Sequence, residues 1–212
     1  MCSWLYNHIP FMNKIVKKGK NNKIILGKAR FKHCQIICKG KENQILFKSG
    51  HFINCKFVVN GNGNKIVVSQ DVNARGVRLF VSQNNNTVTI GEKTTFAGDS
   101  YLGCMEKTSL IIGDGCLFSN EIQIRTSDSH SILDENNNRI NPAKDIIIGD
   151  RVWCGNGAKI LKGSSIQADS IVAAGAIVNR EFTQSGVILA GVPATIVKEN
   201  IHWCFEKVGG SE

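Results

Sequence analysis

The sequence predicts an all-β solenoid, because short apolar strands recur at fixed periods along most of the chain. In the segment 148–178 an aliphatic or thiol side chain recurs every six residues, and a small or β-branched side chain lies four places after each of the first five. Such a unit forms one short strand and a turn, and three units complete a triangular coil that buries the repeated positions. The 21 Gly and 3 Pro among 212 residues agree with many strands and turns. The repeated positions are Ile148, Cys154, Ile160, Ile166, Val172 and Val178, with Val152, Ala158, Ser164, Ser170 and Ala176 between them.

The same six-residue frame extends towards the N-terminus. It passes through Ile112, Phe118 and Ile124, since residue 112 precedes Ile148 by 36 positions, or six units. The next position of the frame after Ile124 is His130. We therefore expect the strands on both sides of residue 130 to belong to one solenoid.

The first half repeats at a longer period of about 21 residues. Three asparagines lie 21 residues apart, each three residues after a glycine, and a fourth follows 22 residues later. Glycine and asparagine tolerate the left-handed backbone conformation of tight corners, so this pattern predicts one corner repeated on each coil, with the regular coils of 18 residues beginning later. The residues are Gly19 and Asn22, Gly40 and Asn43, Gly61 and Asn64, and then Asn86, with Ser109 near the next expected place.

We expect one domain, a solenoid over 19–195, between an N-terminal segment (1–18) and a C-terminal tail (196–212). A polar loop is predicted at about 127–144, and the tail is predicted to be helical. The opening residues lack the apolar centre of a signal peptide, and no run of 18 apolar residues is present to span a bilayer. These observations predict a cytoplasmic protein.

Eight cysteines raise the question of disulfides or a metal site. They are scattered, and no Cys-x-x-Cys pair begins a zinc site, so we expect buried thiols and no bound metal. Cys154 occupies an aliphatic position of the hexapeptide, so its side chain is predicted to point into the core as a small hydrophobe rather than to act as a nucleophile.

Charge is distributed unevenly between the two halves. Residues 1–80 contain 15 Lys and Arg against Glu42 and Asp71, whereas residues 81–212 contain 11 against 15 acidic side chains. Any single lysine is best explained as a solvated turn residue, but the asymmetry as a whole favours attraction of a polyanion. A nucleic acid is disfavoured because no recognised motif and few stacking aromatics are present. An acidic polysaccharide or an anionic lipid headgroup fits the charge at least as well.

The segment between the two regular stretches carries the candidate chemistry. Asp128, Ser129 and His130 directly follow an apolar strand and precede a polar, Asn-rich stretch. Loops extruded from a regular scaffold are usually functional. His130 is the one of five histidines placed at such a junction, and imidazole suits general-base catalysis near neutral pH. Asp128 either orients the ring or caps the turn.

Several runs in their order and spacing resemble the hexapeptide-repeat O-acetyltransferases, and most of all the bacterial enzymes that acetylate sialic-acid capsular polysaccharides. The resemblance covers roughly residues 85–203. It implies a left-handed parallel β-helix, assembled as a homotrimer with active sites between subunits. It also implies that His130 is the catalytic base and that Trp153 lines the site. The matched runs are 124–130, 139–141, 144–149, 152–155, 160–163 and 190–194.

The same resemblance implies acetyl-coenzyme A as the co-substrate, without a metal. A backbone N–H near Trp153 to Gly155 is expected to stabilise the oxyanion. Thr195 follows Pro193 and Ala194, where many relatives carry a lysine, so Lys162 or Lys198 is expected to contact the coenzyme phosphates instead. Ser131 follows His130, where the family often has proline. The pantetheine arm is expected beside small residues of the coil corners, namely Gly155, Ala173, Ala174, Gly175, Ala190 and Gly191. The basic side chains expected to bind the acceptor are Arg125, Arg139 and Lys144.

Other functions remain open at this stage. The acceptor could be a lipopolysaccharide O-antigen or a nucleotide-sugar precursor instead of an acidic capsule polymer, and the enzyme could associate peripherally with a membrane-bound capsule-synthesis complex. A carbonic anhydrase of similar fold would need three converging histidines, and only His130 is placed to contribute. A non-catalytic solenoid that binds polyanions would leave His130 and Trp153 unexplained.

Overall fold

The computed structural model describes residues 13–208 and shows a parallel β-solenoid built from three sheets. Each complete coil contributes one strand to each sheet, and every pairing is parallel except that of the last two strands.

Strands are numbered in chain order. Sheet A contains β1 (Lys14–Lys18), β4 (Gln35–Lys39), β7 (Lys56–Asn60), β10 (Val77–Ser82), β13 (Ser100–Met105), β16 (Ile122–Arg125), β19 (Lys159–Leu161) and β22 (Ile177–Val178). Sheet B contains β2 (Lys23–Ile25), β5 (Gln44–Phe47), β8 (Lys65–Val68), β11 (Thr87–Ile90), β14 (Ser109–Ile112), β17 (Ile146–Ile148) and β20 (Ser165–Ile166). Sheet C contains β3 (Lys28–Lys32), β6 (Ser49–Ile53), β9 (Val72–Arg75), β12 (Thr95–Phe96), β15 (Leu117–Phe118), β18 (Trp153–Cys154), β21 (Ile171–Val172), β23 (Ile188–Gly191) and β24 (Ala194–Lys198).

The core confirms the hexapeptide pattern. Every repeated position between 148 and 178 is at most 2% exposed. Ile160 pairs with Ile124 on one side and with Val178 on the other, so equivalent residues of successive coils stack in the interior. Removal of these aliphatic side chains from water is the main stabilisation of a solenoid.

The 36 positions from Ile112 to Ile148 are not six hexapeptide units of the solenoid, as the six-residue spacing had suggested. These two residues pair directly in sheet B, so the 36 positions that separate them complete a single coil. Ile148 and Ile166 pair at the regular spacing of 18. The extra residues leave the solenoid between β16 and β17 as a loop, which preserves the phase of the strands but places His130 outside the buried column.

The repeated asparagines have a different role from the predicted one. The glycines of the motif do adopt left-handed backbone conformations, with φ between +103° and +133°, but the asparagines are buried. The side-chain amide of Asn43 donates to Asn22 Oδ1 at 2.9 Å, that of Asn64 to Asn43 Oδ1 at 3.0 Å, and that of Asn86 to Asn64 Oδ1 at 2.9 Å. This ladder joins four coils and satisfies buried polar groups.

Both ends of the solenoid differ from the expected boundaries. Strand β1 pairs with β4 and so belongs to sheet A, while residues 1–12 lie outside the described residues. At the other end β24 folds back antiparallel on β23, and residues 199–208 are irregular. The predicted helical tail is wrong for 196–208, because residues 196–198 belong to β24 and residues 199–208 form no helix. The Ile201 N–H donates to Gly186 O at 2.9 Å, which holds the irregular segment on the solenoid. Within the described residues, no helix has the length and apolar character needed to cross a membrane.

The cysteines behave largely as small core side chains. Six are buried, Cys204 is exposed, and Cys2 lies outside the described residues. Cys154 is 0% exposed, which confirms its predicted place in the core. Burial raises the pKa of the Cys154 thiol well above its usual range, and a neutral thiol is a poor nucleophile. Among residues 13–208, no group of His, Cys, Asp and Glu has the arrangement of a metal site.

Candidate active site

The loop between β16 and β17 is fixed at its base by two ion pairs. Arg139 donates to the Glu106 carboxylate from both terminal nitrogens, at 2.5 and 3.1 Å, and Ser127 donates to the same carboxylate. Lys162 Nζ lies 2.5 Å from Asp128 Oδ2. The loop is thereby tied to the preceding coil through Glu106 and to the following coil through Lys162.

These contacts stabilise the ionised form of both carboxyl groups. The hydrogen bond from Lys162 lowers the pKa of Asp128, and a bond from Asn141 adds to the effect. The hydrogen bond from Arg139 lowers the pKa of Glu106, with a smaller contribution from Ser127. Since each carboxylate is stabilised by a cation, neither is suited to accept a proton near pH 7.

Asn141 connects the two sides of the loop. Its side chain is buried, and its amide nitrogen donates to Asp128 Oδ2 at 2.8 Å and to the backbone carbonyl oxygen of His130 at 2.9 Å. Its amide oxygen accepts the backbone N–H of Ile132 at 2.7 Å. The backbone on both sides of His130 is therefore fixed by one buried side chain.

His130 presents an exposed side chain from this fixed backbone. Asp128 was expected to orient the imidazole or to cap the turn, but its carboxylate accepts hydrogen bonds from Lys162 and Asn141 instead. Among residues 13–208, no hydrogen bond to the imidazole ring of His130 is formed. Both ring nitrogens are therefore accessible to a substrate or to another subunit.

Trp153 lies on a different part of the molecule. It projects from β18 on the outer face of sheet C and is 36% exposed. Trp203 of the tail packs beside it, with 6.0 Å between ring centroids. The indole N–H of Trp203 donates to Arg151 O at 2.6 Å, which fixes the tail there. One side of Trp153 is thus covered by the tail.

The residues expected to hold coenzyme A follow strands of sheet C at the corner between sheets C and A. A Cβ atom on Gly155 would lie 2.7 Å from the backbone nitrogen of Ala174, so the stacking of successive coils requires glycine there. At Gly175, no heavy atom of residues 13–208 outside Gly175 and its two chain neighbours lies within 4 Å of the position that a Cβ would take, so this corner has room beside it. The corner residues are Gly155, Ala173, Ala174 and Gly175, with Ala190 and Gly191 at the end of β23.

The backbone N–H groups of Trp153 and Gly155 are not free to stabilise an oxyanion. The Trp153 N–H donates to Ser170 O at 2.9 Å, and the Gly155 N–H donates to Val172 O at 2.8 Å. Both bonds belong to the ladder between successive coils. The expected oxyanion donor is therefore wrong at these two positions, because the parallel register already uses both groups.

The basic residues that the sequence indicated as ligands differ in whether their charge is already paired within the chain. Arg139 and Lys162 are engaged in the ion pairs of the loop base, so Lys162 is not the free cation expected at a coenzyme phosphate. Arg125 lies over an aromatic ring of sheet A, 5.2 Å from its centroid. Lys144 is exposed beside the loop, and Lys198 is exposed on β24.

One chain keeps the two candidate groups at different corners. The loop that carries His130 leaves between sheets A and B, whereas the small residues lie between sheets C and A. In the described chain, no hydrogen bond or ion pair joins residues 126–145 to residues 153–158 or 173–176. A single subunit therefore does not bring His130 to the small-residue corner.

Sequence reasoning missed Glu106 and Trp203 and gave Asn141 no role. Asn141 lies in a matched run, Arg139-Ile140-Asn141, and an amide two residues after a loop arginine was the available signal. Glu106 and Arg139 are 33 residues apart, and no sequence pattern indicates that pairing.

The comparisons with known proteins place this solenoid among the hexapeptide-repeat acetyltransferases. No family model matches the chain. It is 36% identical over 124 residues to a polysialic acid O-acetyltransferase of Escherichia coli O1:K1 / APEC, covering 58% of this chain and 40% of that protein. It is 32% identical over 152 residues to the polysialic acid O-acetyltransferase of Neisseria meningitidis, covering 65% of this chain and 70% of that protein.

Solved structures extend the similarity to nearly the whole chain. The polysialic acid O-acetyltransferase OatWY superposes with a TM-score of 0.80 at 30% identity and 94% coverage of both chains. The polysialic acid-specific acetyltransferase NeuO gives a TM-score of 0.66 at 26% identity, covering 94% of this chain and 92% of that one. The chain therefore belongs to the family of hexapeptide-repeat O-acetyltransferases that contains these proteins.

Proposed function

We propose that the protein transfers an acetyl group from acetyl-coenzyme A to a sugar hydroxyl of an acidic bacterial surface polysaccharide, of the sialic-acid capsule type. The observation that carries the proposal is an exposed histidine, His130, on a loop fixed by Asn141, in a chain of this family. Two relatives are named polysialic acid O-acetyltransferases. The excess of Lys and Arg over acidic residues in 1–80 supports the proposal, because positive charge attracts an acidic acceptor.

The proposed chemistry is direct transfer with His130 as the general base. A ring nitrogen of His130 removes the proton of the sugar hydroxyl as its oxygen attacks the thioester carbonyl, and the departing sulfur receives that proton. No acyl-enzyme is needed, and the buried Cys154 takes no part. Asp128 and Glu106 serve to hold the loop, since their charges are already paired.

The open corner between sheets C and A supports the place of acetyl-coenzyme A in this proposal. Its small residues permit close approach of an extended thiol-bearing arm, and the space beside Gly175 is free. Trp153 offers an aromatic surface just before Gly155. With Lys162 engaged by Asp128, Lys198 is the remaining candidate for the coenzyme phosphates.

A homotrimer with shared sites would bring the separated groups together. Sheet B supplies a surface for that contact, because one column of its outward positions, from β2 to β17, is apolar except at Thr89. We call this column the apolar stripe, and its apolar members are Ile25, Leu46, Val67, Ile111 and Ile147. Ile25, Ile111 and Ile147 of this stripe are 54%, 39% and 47% exposed. Apolar surface of this extent is typical of an interface.

Light scattering tests the assembly. We expect about three times the 23.2 kDa chain mass for the wild type and monomer for the variant Ile111→Glu/Ile147→Glu, because buried charges at an interface are costly. His51→Glu/Asn73→Glu, which places two acidic side chains at exposed positions of sheet C, is the control. A fully active wild-type monomer would contradict the shared site.

The proposed location is the cytoplasm, with peripheral association with a membrane-bound capsule-synthesis complex. Co-sedimentation with membranes that contain or lack that complex measures the association. Equal sedimentation with both kinds of membrane would remove this partner from the proposal.

Release of coenzyme A with a panel of acceptors tests the activity. We expect transfer to a sialic-acid polymer and little transfer to a neutral glycan. Preference for a neutral O-antigen or a nucleotide sugar would retain the acetyltransferase and overturn the acidic acceptor. Binding of the polymer without acetyl transfer to any acceptor would favour a non-catalytic polyanion-binding solenoid.

A further inference from the structure

The outer face of sheet A carries a groove with an apolar floor. Ile37, Val58 and Phe80 follow one another in register along this face and are half-buried. They point outward, since the residues that flank each of them in its strand are in the core or beside it. The groove has a volume of about 310 Å³.

Positive charges border this floor on both sides. Lys56 and Arg78 pair in register along one rim, and Lys14 lies two coils before Lys56 in the same column. Lys18 and Lys39 pair along the other rim. These side chains are exposed, and no Asp or Glu occupies the outward positions of sheet A in the described strands.

The groove leads to the loop that carries His130. Tyr101 follows Arg78 in register, and the guanidinium of Arg125 lies 5.2 Å from the centroid of the Tyr101 ring. Arg125 is the last residue of β16, where the chain leaves for the loop. Strands lie about 4.8 Å apart, so the face from β1 to β16 extends on the order of 24 Å, more than a single sugar occupies.

We propose that this face of sheet A is the docking track for an acidic polysaccharide acceptor, which lies along the stack of coils and presents its hydroxyl groups at the loop. The inference rests on the proposed function for the identity of the acceptor. Carboxylates of successive sugars meet the lysine and arginine rims, and the apolar faces of the sugar rings pack on the floor and on Tyr101. Long polymers then gain affinity that short acceptors lack.

The other two faces differ from sheet A, since sheet B has Lys23 and Lys65 along one side of its apolar column and no basic residue of its strands along the other. Sheet B presents the apolar stripe assigned to subunit contacts. Sheet C is also basic in its first coils, at Lys28, Arg30, Lys32 and Arg75. Its central outward column there is polar, and His51 of that column is hydrogen-bonded to Asn73. Sheet C therefore supplies a control surface from which the same number of positive charges can be removed and which has no apolar floor.

The five lysines between residues 14 and 23, the densest basic cluster of the sequence, do not lie on one surface. Lys14 and Lys18 lie on the outer face of sheet A, whereas Lys23 begins a strand of sheet B. Lys17 pairs with the buried Cys38, so it occupies the end of an interior column. A test based on the whole cluster would mix these surfaces.

The test compares two triple variants that each remove three positive charges. Lys39→Gln/Lys56→Gln/Arg78→Gln alters the track, and Lys28→Gln/Lys32→Gln/Arg75→Gln alters sheet C. Binding of a long sialic-acid polymer and of a sialic-acid dimer is measured without acetyl-coenzyme A, so the result does not depend on catalysis. We expect the track variant to weaken polymer binding about tenfold or more, as for loss of a complementary field, and the control to change it little. Dimer binding should be equal in all three proteins.

A variant of the floor separates shape from charge. Phe80→Ser keeps every charge, and its half-exposed position should leave the thermal transition close to wild type; we expect several-fold weaker polymer binding. Equal losses in the two triple variants, or binding of duplex DNA or anionic vesicles as tight as that of the polymer, would overturn the track. Absence of acetyl transfer together with the expected binding differences would overturn the proposed function and leave the track intact.

Discussion

The side-chain amide of Asn141 donates a hydrogen bond to the backbone carbonyl oxygen of His130 at 2.9 Å. The same amide nitrogen contacts Asp128 Oδ2 at 2.8 Å. Asn141 thus fixes the backbone of the candidate base without touching its imidazole. It is a positioning residue, and its contribution should appear in turnover rather than in substrate binding.

Asn141→Ala is expected to lower kcat by about tenfold to a hundredfold, because displacement of a catalytic group by about 1 Å can cost that much. The KM for acetyl-coenzyme A should stay within about twofold. Steady-state kinetics of Asn141→Ala are compared with those of Asn138→Ala, which alters an exposed asparagine of the same loop. A rise in KM with unchanged kcat would contradict the positioning role.

The loop base should open in acid. The pKa values of Asp128 and Glu106 are lowered by Lys162 and Arg139, so these pairs are present at neutral pH and are lost only when the pH falls below the usual range of carboxyl pKa values. Hydrogen exchange of loop amides, corrected for intrinsic rates, should show protection at pH 7 and progressive loss in strong acid. Lys162→Met should cause the loss near Asp128 already at pH 7. Unchanged protection in that variant would show that the pair does not hold the loop.

The asparagine ladder should be a large local contribution to stability. Asn64→Ala removes the acceptor of the buried Asn86 backbone N–H and the donor to Gln83 O, and it breaks the side-chain bonds to Asn43 and Asn86. This loss is expected to cost about 1–3 kcal/mol. Chemical denaturation measures this loss. Asn73→Ala, at an exposed position of sheet C, should stay within about 0.5 kcal/mol of wild type. Equal effects of the two substitutions would contradict the ladder.

Removal of Trp203 should expose Trp153. In Trp203→Ala the tail loses its ring contact and its bond to Arg151, so the remaining tryptophan fluorescence should shift to longer wavelength, with a loss of stability of about 1 kcal/mol. Trp203→Phe should keep much of the ring packing and shift less. An emission maximum unchanged in Trp203→Ala would show that the tail does not cover Trp153.

The solenoid was predictable because its repeats are local. Each hexapeptide forms its own strand and corner, so the buried column of Ile148, Cys154 and Ile160 follows from spacing alone. The ladder was not predictable in the same way, because an asparagine near a corner serves equally as a turn residue or as a buried donor. The hydrogen bonds between coils determine whether such an asparagine is a turn residue or a buried donor. The spacing shows only that Asn43 and Asn64 occupy equivalent positions.

The sequence singled out candidate residues for the site, but it did not contain the contacts that hold them. His130 was evident from the interruption of the repeat, whereas the pairing of Glu106 with Arg139 depends on the path of the loop. The hydrogen bond that uses the Gly155 N–H is formed with Val172 of the next coil. The spacing of residues within one segment of the sequence indicates neither of these contacts.

The most direct measurement of the central proposal is acetyl transfer to a sialic-acid polymer by His130→Ala. Loss of general-base assistance should lower kcat by about a hundredfold or more, while the thermal transition stays close to wild type because the side chain is exposed. His51→Ala, at an exposed histidine of sheet C, should retain full activity. Activity of His130→Ala near that of wild type would contradict the account.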